Sequence, residues 1–273
     1  MAKPQRASLK GSGLQASGKQ NAQQDSQQPV QQDAQQNTPQ AARGLQSFAT
    51  LSDQQQADMV NKAKTAKAVP GFPDTFYQKF VMANGLDAKP KLVTDAQMDA
   101  MPGKDFYRGI NAKTQDAADQ IVMNTLMHDY TFFSDSGGSA LGRGIYAMQD
   151  LNDDVRLYGS SGGVNNIMRM KLDSDAKTIS YSNARTLYER ELASGSRLGK
   201  SLKGIYEKDA ISIVAAAKGY SAITRTSFSN SSNEWGNILS RDKLSISMQY
   251  HRVTPNDIKK AQRGTLTWNT MER

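Results

Sequence analysis

The chain has 273 residues, with 34 Lys and Arg against 26 Asp and Glu, a formal net charge of +8, and no cysteine. Disulfides, thiolate metal sites and cysteine nucleophiles are thereby excluded. The basic balance fits an anionic partner such as a nucleic acid, a phosphate-bearing ligand or a membrane surface, but the cations are spread along the chain, without the basic stripe and interleaved aromatics of a nucleic-acid tract.

Mean hydropathy is −0.64 and 37% of residues are hydrophobic, too polar for a compact domain along the whole length. The two histidines, His128 and His251, are far apart in sequence and neither sits in a metal-binding spacing, so no metal is expected. No apolar run is long enough to span a bilayer, and the basic N-terminus lacks the apolar stretch of a cleaved secretory signal. No stable membrane association is expected.

Residues 1–47 are rich in Gln, Ala, Ser, Asn and Asp, with no aromatic before Phe48 and no acid before Asp25. Such a segment buries too little apolar surface to offset its ordering entropy, so a disordered tail is expected. It reads either as a plain linker or as a non-cleaved export or packaging signal. Residues 48–103 form an expected helical segment. Ser52 with Gln55 makes a capping box for a mostly exposed helix over 52–68. Val69-Pro70-Gly71-Phe72-Pro73 breaks it. A second helix opens at Asp74 with Phe76, Phe80, Val81 and Leu86 on one side. After a polar connector, Thr94 caps a short helix that ends at Pro102-Gly103.

Asp105 to Ile110 reads as a short strand ending in Arg108 and Gly109. Ala112 to Met127 reads as an amphipathic helix. Residues 131–159 then carry Phe133-Ser134-Asp135-Ser136, a permissive run to Ala140, and Gly142-Arg143-Gly144-Ile145-Tyr146, with Tyr158 twelve residues later. By itself this stretch is a glycine-rich loop entering a strand whose tyrosine packs. It also suits a wall against a flat ring. Asp153 and Asp154 read as the start of a helix around 150–158. Strands are expected at 166–172, 177–180, 220–224, 234–239 and 244–250. Helices are expected over 183–207, interrupted at Ser194-Gly195-Ser196, and over 209–218, with Gly219 past its end. A final helix starts at Thr254-Pro255. Strands and helices mix without βαβ alternation, which gives the α+β class.

Four pieces stand in order: Tyr107-Arg108-Gly109; Gly142-Arg143-Gly144-Ile145-Tyr146 with Tyr158; Lys218 to Ile223; and Glu234 ahead of Asn237 to Arg241. This order resembles the ADP-ribosyltransferase superfamily over roughly residues 104–250. The resemblance implies a split β-sandwich with an NAD cleft at 104–253, a helical N-terminal lobe at 48–103, the disordered tail at 1–47 and a C-terminal tail at 254–273. It implies NAD as substrate, without a metal. Arg108 would bind the NAD ribose or pyrophosphate, and Gly109 would hold the nicotinamide carboxamide through its backbone. Tyr146 and Tyr158 would sandwich the ring, and Glu234 would bind the ribose 2′-hydroxyl. The pattern is a hybrid, because Arg108 and the serine motif at Ser134 resemble arginine-type toxins while Tyr146 resembles the polymerase-like branch. Either Ser134 or Tyr146 is therefore the central member of a triad with Arg108 and Glu234, with Tyr146 preferred because its flanking residues match over a longer stretch. Ser232 stands where arginine-modifying toxins carry a second acid, unless Glu189 or Glu191 substitutes.

Cleavage of the nicotinamide–ribose bond develops positive charge on the ribose, which a carboxylate stabilises, while aromatics and a backbone clamp orient the ring. The implied activity is mono-ADP-ribosyl transfer to a macromolecule, with a host protein as the first acceptor class and nucleic acid as the second. The implied setting is a delivered bacterial effector or phage protein. The alternatives are NAD hydrolysis and a non-catalytic, virion-associated binding protein. Each residue also has a plainer role: Arg108 as an ion-pair former, the two tyrosines as packing residues, Glu234 as an exposed loop acid.

Overall fold

A computed structural model describes residues 44–68, 74–86, 88–127, 141, 143–159, 164–226 and 234–271. The expected tail up to residue 43, Ser134, His128 and the polar loop 227–233 lie outside the described residues.

Most of the helices begin where a local side chain satisfies a free N–H group, α1 and α9 being without such a cap. Helix α1 is Gln46–Ala49, and α2, Asp53–Thr65, starts from the Ser52–Gln55 capping box. Thr75 caps α3, Phe76–Ala83, and a Thr94–Gln97 box caps α4, Asp95–Ala100. Helix α5 is Gln115–Met127 and α6 is Leu151–Gly159. Ser180 caps α7, Tyr181–Ala193, and Ser196 caps α8, Arg197–Ser201. Helix α9, Glu207–Ala217, precedes Gly219 at φ +82, a left-handed position that favours glycine. Thr254 caps α10, Pro255–Gln262, with Pro at its first turn.

The strands are β1 Lys91–Val93, β2 Asp105–Ala112, β3 Ile145–Met148, β4 Val164–Leu172, β5 Thr178–Ser180, β6 Ala222–Thr226, β7 Glu234–Ile238 and β8 Leu244–Arg252. They form one open sheet in the order β1-β8-β4-β2-β3-β7-β6-β5. Pairing is antiparallel except at the two edges, where the three-residue strands β1 and β5 run parallel to β8 and β6. The mixed helix-and-strand class expected from the sequence is thus observed, around eight strands among the described residues.

The sheet is continuous but narrows in the middle. Strand β2 pairs β4 along its whole length, from Asp105↔Lys171 to Ala112↔Val164. It meets β3 at a single pair, Tyr107↔Met148. Strand β3 is four residues long and gives all four to β7. Two half-sheets, β1-β8-β4-β2 and β3-β7-β6-β5, are therefore hinged on one residue pair.

Three apolar clusters hold these layers. The first joins Phe48, Phe80, Ile211, Val214 and Ile223, so the N-terminal helices share a core with α9 and β6. Phe48 and Phe80 meet edge to face at 5.0 Å, and the Tyr77 hydroxyl donates to the Leu239 carbonyl at 2.9 Å. The second cluster runs along Phe106, Ile110, Ile145, Ala147, Met168 and Ile246. The third includes Leu151, Val155, Ile167, Leu266, Trp268 and Met271.

Packing crosses all three boundaries expected from the sequence: residues 44–47, expected within the disordered tail, include the buried Leu45 and the start of α1. Helix α2, expected to be mostly exposed, buries Gln56, Ala57, Val60 and Ala63. The segment after residue 254 lies on the body: Trp268 stands 6.0 Å from the Tyr107 ring and 4.3 Å edge-on from His251. His251 is correspondingly 3% exposed, a packed core side chain.

Candidate functional site

Arg108 and Gly109 sit one and two residues past the Tyr107↔Met148 pair, opposite Met168 and Ile167 of β4. Successive side chains on a strand face opposite ways. Phe106 and Ile110 belong to the second cluster and Tyr107 packs against the third, so Arg108 lies on the Phe106 face and Gly109 on the Tyr107 face.

The Gly109 N–H donates to the carboxyl of Asp154 on α6. It therefore points away from β4, toward the side that β3 has left. Asp154 is 1% exposed, and its Oδ2 has no hydrogen-bond partner among the described residues. Burial pushes this carboxyl up to about 8, against the opposing pull of the Gly109 N–H and the nearby Arg108 guanidinium. The helix-start reading of Asp154 gives its place but not its role. The cap is Asp150, whose Oδ1 accepts from the N–H groups of Asn152 at 2.7 Å and Asp153 at 3.3 Å. Asp154 turns inward. A signal for this exists in the sequence: Leu151, Asp154 and Val155 fall at i, i+3 and i+4, and both apolar members are buried.

Tyr146 pairs with Asn237 and shares a strand face with Met148, hence with Tyr107. Arg108 and Tyr146 accordingly belong to opposite faces of the sheet. The Tyr146 ring is half-buried against the first cluster, and its hydroxyl oxygen accepts the Leu141 N–H at 2.7 Å. Burial pushes its phenol well above the ordinary tyrosine range.

Gly144 and Arg143, ahead of Tyr146, have packing roles. A Cβ on Gly144 would lie 2.3 Å from Asn237 Oδ1 and 2.5 Å from the Ile238 carbonyl oxygen, so glycine lets the strand approach β7. The Arg143 N–H donates to Ser212 Oγ at 2.7 Å, and that hydroxyl donates back to the Arg143 carbonyl at 2.9 Å. The Arg143 guanidinium is 3.5 Å from Asp209 and lies over the Tyr206 ring at 5.8 Å. The loop is thus fastened to α9 at three points.

Glu234 is the first residue of β7, paired with Thr226, and its side chain lies outside the described atoms. Register puts its backbone two strands and two rows from Arg108, roughly 12 Å by ordinary strand spacings. Tyr158 lies on α6, with its side chain likewise outside the description. Glu189 and Glu191 are on α7, where Glu189 pairs with Arg185 at 3.1 Å and Glu191 with Lys218 at 2.9 Å. Trp235, next to Glu234, packs against the first cluster.

Two cavities open elsewhere among the described residues. One of about 630 Å³ has Gln46, Asp53, Gln56, Lys177 and Lys218 in its wall. Another of about 350 Å³ lies beside the hinge pair, between Tyr107, Gln149, Asp150, Asn152, Thr267 and Trp268. No group of three or more His, Cys, Asp or Glu among the described residues is placed to hold a metal ion, and no helix among them is long and apolar enough to cross a membrane. Comparison with family models, with curated proteins and with solved structures gives no match to this chain.

Proposed function

We propose that the chain is an NAD-dependent mono-ADP-ribosyltransferase with a macromolecular acceptor, a protein first, and that it acts after delivery into a host cell by a bacterium or a phage. The observation that carries this reading is the narrowing of the sheet at Tyr107↔Met148. Immediately past that pair, β2 offers an arginine and a glycine whose N–H points away from β4. The described strands form one continuous sheet rather than a split sandwich, and what supports the reading is its narrowing to one pair beside an Arg-Gly pair.

In this scheme Arg108 binds the pyrophosphate, since its guanidinium is planar, permanently charged and bidentate. The Gly109 backbone meets the nicotinamide carboxamide, with Tyr158 and either Tyr146 or Ser134 completing the ring site. The C–N bond to nicotinamide breaks heterolytically and its electron pair leaves with the ring. Glu234 holds the 2′-hydroxyl and stabilises the resulting oxocarbenium charge. The acceptor nucleophile forms the new bond at the ribose and loses its proton. One feature sets a condition: Asp154 must yield the Gly109 N–H to the carboxamide, or the ring must bind without it.

A non-catalytic binding role is the second reading. It is favoured by the Tyr146 hydroxyl bond to Leu141 and by the packing roles of Arg143 and Gly144. Incubation with NAD labelled in the ADP-ribose part separates the readings. Label on protein or nucleic acid is the expected result, free ADP-ribose alone indicates hydrolysis, and no NAD consumption leaves the binding role. Glu234→Gln should lower turnover by about 100-fold or more while NAD still binds. Unchanged turnover would remove Glu234 from the chemistry.

A further inference from the structure

The cavity beside the hinge pair has an unusual lining for a protein of net charge +8. Of the described residues around it, the charged one is Asp150, and the others are aromatic, amide, hydroxyl or aliphatic. Tyr107 supplies a half-buried ring, with Trp268 behind it at 6.0 Å and a 34° tilt. Trp268 is itself fixed, because its indole N–H donates to Asp95 Oδ2 at 2.9 Å and His251 stands edge-on to it.

Three cations of the flanking elements are committed elsewhere. Arg169 is paired with Asp99 at 2.7 Å and Asp105 at 2.6 Å, Arg156 is paired with Asp153, and Lys260 donates to the Thr270 carbonyl at 3.1 Å. Asp150 spends Oδ1 on two backbone N–H groups of α6, and both of those bonds end on that one oxygen. The Tyr107 hydroxyl lies in the field of Asp105 and Asp150, both of which hold its proton on, in addition to the larger effect of burial.

An aromatic face beside one carboxylate makes a receptor for a planar cation; the Asn152 amide is closed on the Leu266 backbone, accepting its N–H at 3.0 Å and donating to its carbonyl at 3.3 Å. A guanidinium stacks on an aromatic ring and donates in its own plane to carboxylate and amide oxygens, whereas an ammonium has no flat face to stack. We infer that this cavity binds an arginine side chain of a protein partner, with the guanidinium over the Tyr107 ring and its N–H groups directed at Asp150. This goes beyond the NAD reading and does not depend on it, since no residue assigned to NAD contributes to the cavity wall.

The test uses the full-length chain without NAD. N-acetyl-arginine-methylamide is titrated in while the two indole N–H signals are followed by NMR, alongside the lysine and the neutral citrulline counterparts. Trp268 reports the cavity and Trp235 serves as the control. Saturable shifts at Trp268 alone, with a Kd on the order of 1 mM, are expected for a single side chain, with lysine and citrulline at least about tenfold weaker. Asp150→Asn should weaken the arginine probe about tenfold; asparagine is as good a helix cap, so the fold is retained. Tyr107→Leu should weaken it further. A flat Trp268 titration, equal binding of lysine or citrulline, or an Asp150→Asn protein that binds as wild type would each overturn the assignment. The citrulline comparison needs no variant, so it stands even if a substituted protein fails to fold.

Discussion

The strand Gly144-Ile145-Tyr146 and the strand segment Arg108-Gly109 differ in what their polar groups do. At β3 and just before it, most described motif groups are matched inside the fold: Gly144 makes room for β7, the Arg143 backbone exchanges hydrogen bonds with Ser212, and the Tyr146 hydroxyl closes on Leu141, while Arg143 Nε has no hydrogen-bond partner among the described residues. On β2 the Gly109 N–H is left out of the sheet and goes to a buried carboxyl with an unpartnered oxygen. The described part of the glycine-rich stretch, Arg143 to Tyr146, is accounted for by packing. The plain Arg-Gly pair borders a costly electrostatic arrangement that packing does not require, and such places are where function is sought.

The largest effect that could break this contrast is the titration of Asp154. Its folded-state carboxyl is raised to about 8, whereas an unfolded aspartate titrates near 4. Between these values the folded protein holds a proton that the unfolded chain has lost. Stability therefore falls as pH rises through that window and levels off above it, at about 1.4 kcal/mol per pH unit. Asp154→Asn keeps an acceptor for the Gly109 N–H and removes the charge. Denaturant unfolding across pH 4 to 9 should show the variant nearly equal to wild type at the acid end and more stable by up to about 5 kcal/mol at pH 8. Parallel curves for the two proteins would mean that Asp154 is not under this strain.

Gly144→Ala sharpens the other side. The new methyl would press on the Ile238 carbonyl oxygen at 2.5 Å as well as on the Asn237 side chain, and a backbone carbonyl within a strand cannot swing aside. A loss of about 3 kcal/mol in unfolding free energy is expected. A loss under about 0.5 kcal/mol would show that the β3–β7 approach is looser than described and reopen a ligand role for the glycine.

Local signals in the sequence carried much of the fold. The Ser52–Gln55, Thr94–Gln97 and Thr254–Pro255 starts lie where capping chemistry puts them, and β2, β4, β6, β7 and β8 lie within a few residues of the strands expected. Strand β1, the short α1 and the packing of Leu266 and Trp268 were not legible, because each depends on a distant partner: β8 for β1, α9 for α1, Tyr107 and His251 for Trp268. The candidate site was half legible. Periodicity places Arg108 and Gly109 on one strand, but it contains no inter-strand register. It therefore gave no warning that Tyr146 and Arg108 take opposite faces, or that the second residue of an Asp-Asp pair would lie beneath Gly109.

The smallest expected effect decides what Tyr146 is for. Tyr146→Phe removes one hydroxyl and leaves the Leu141 N–H without its acceptor. A stability loss of about 1 kcal/mol follows, as for one part-buried hydrogen bond. If the ring also stacks on nicotinamide, phenylalanine preserves that face and NAD turnover should stay within about twofold, whereas Tyr146→Leu should lower turnover well beyond its effect on stability. Equal turnover in the leucine variant and wild type, measured below both unfolding transitions, would leave Tyr146 as a packing residue. The central place in the triad would then pass to Ser134, consistent with Tyr146 lying on the sheet face opposite Arg108.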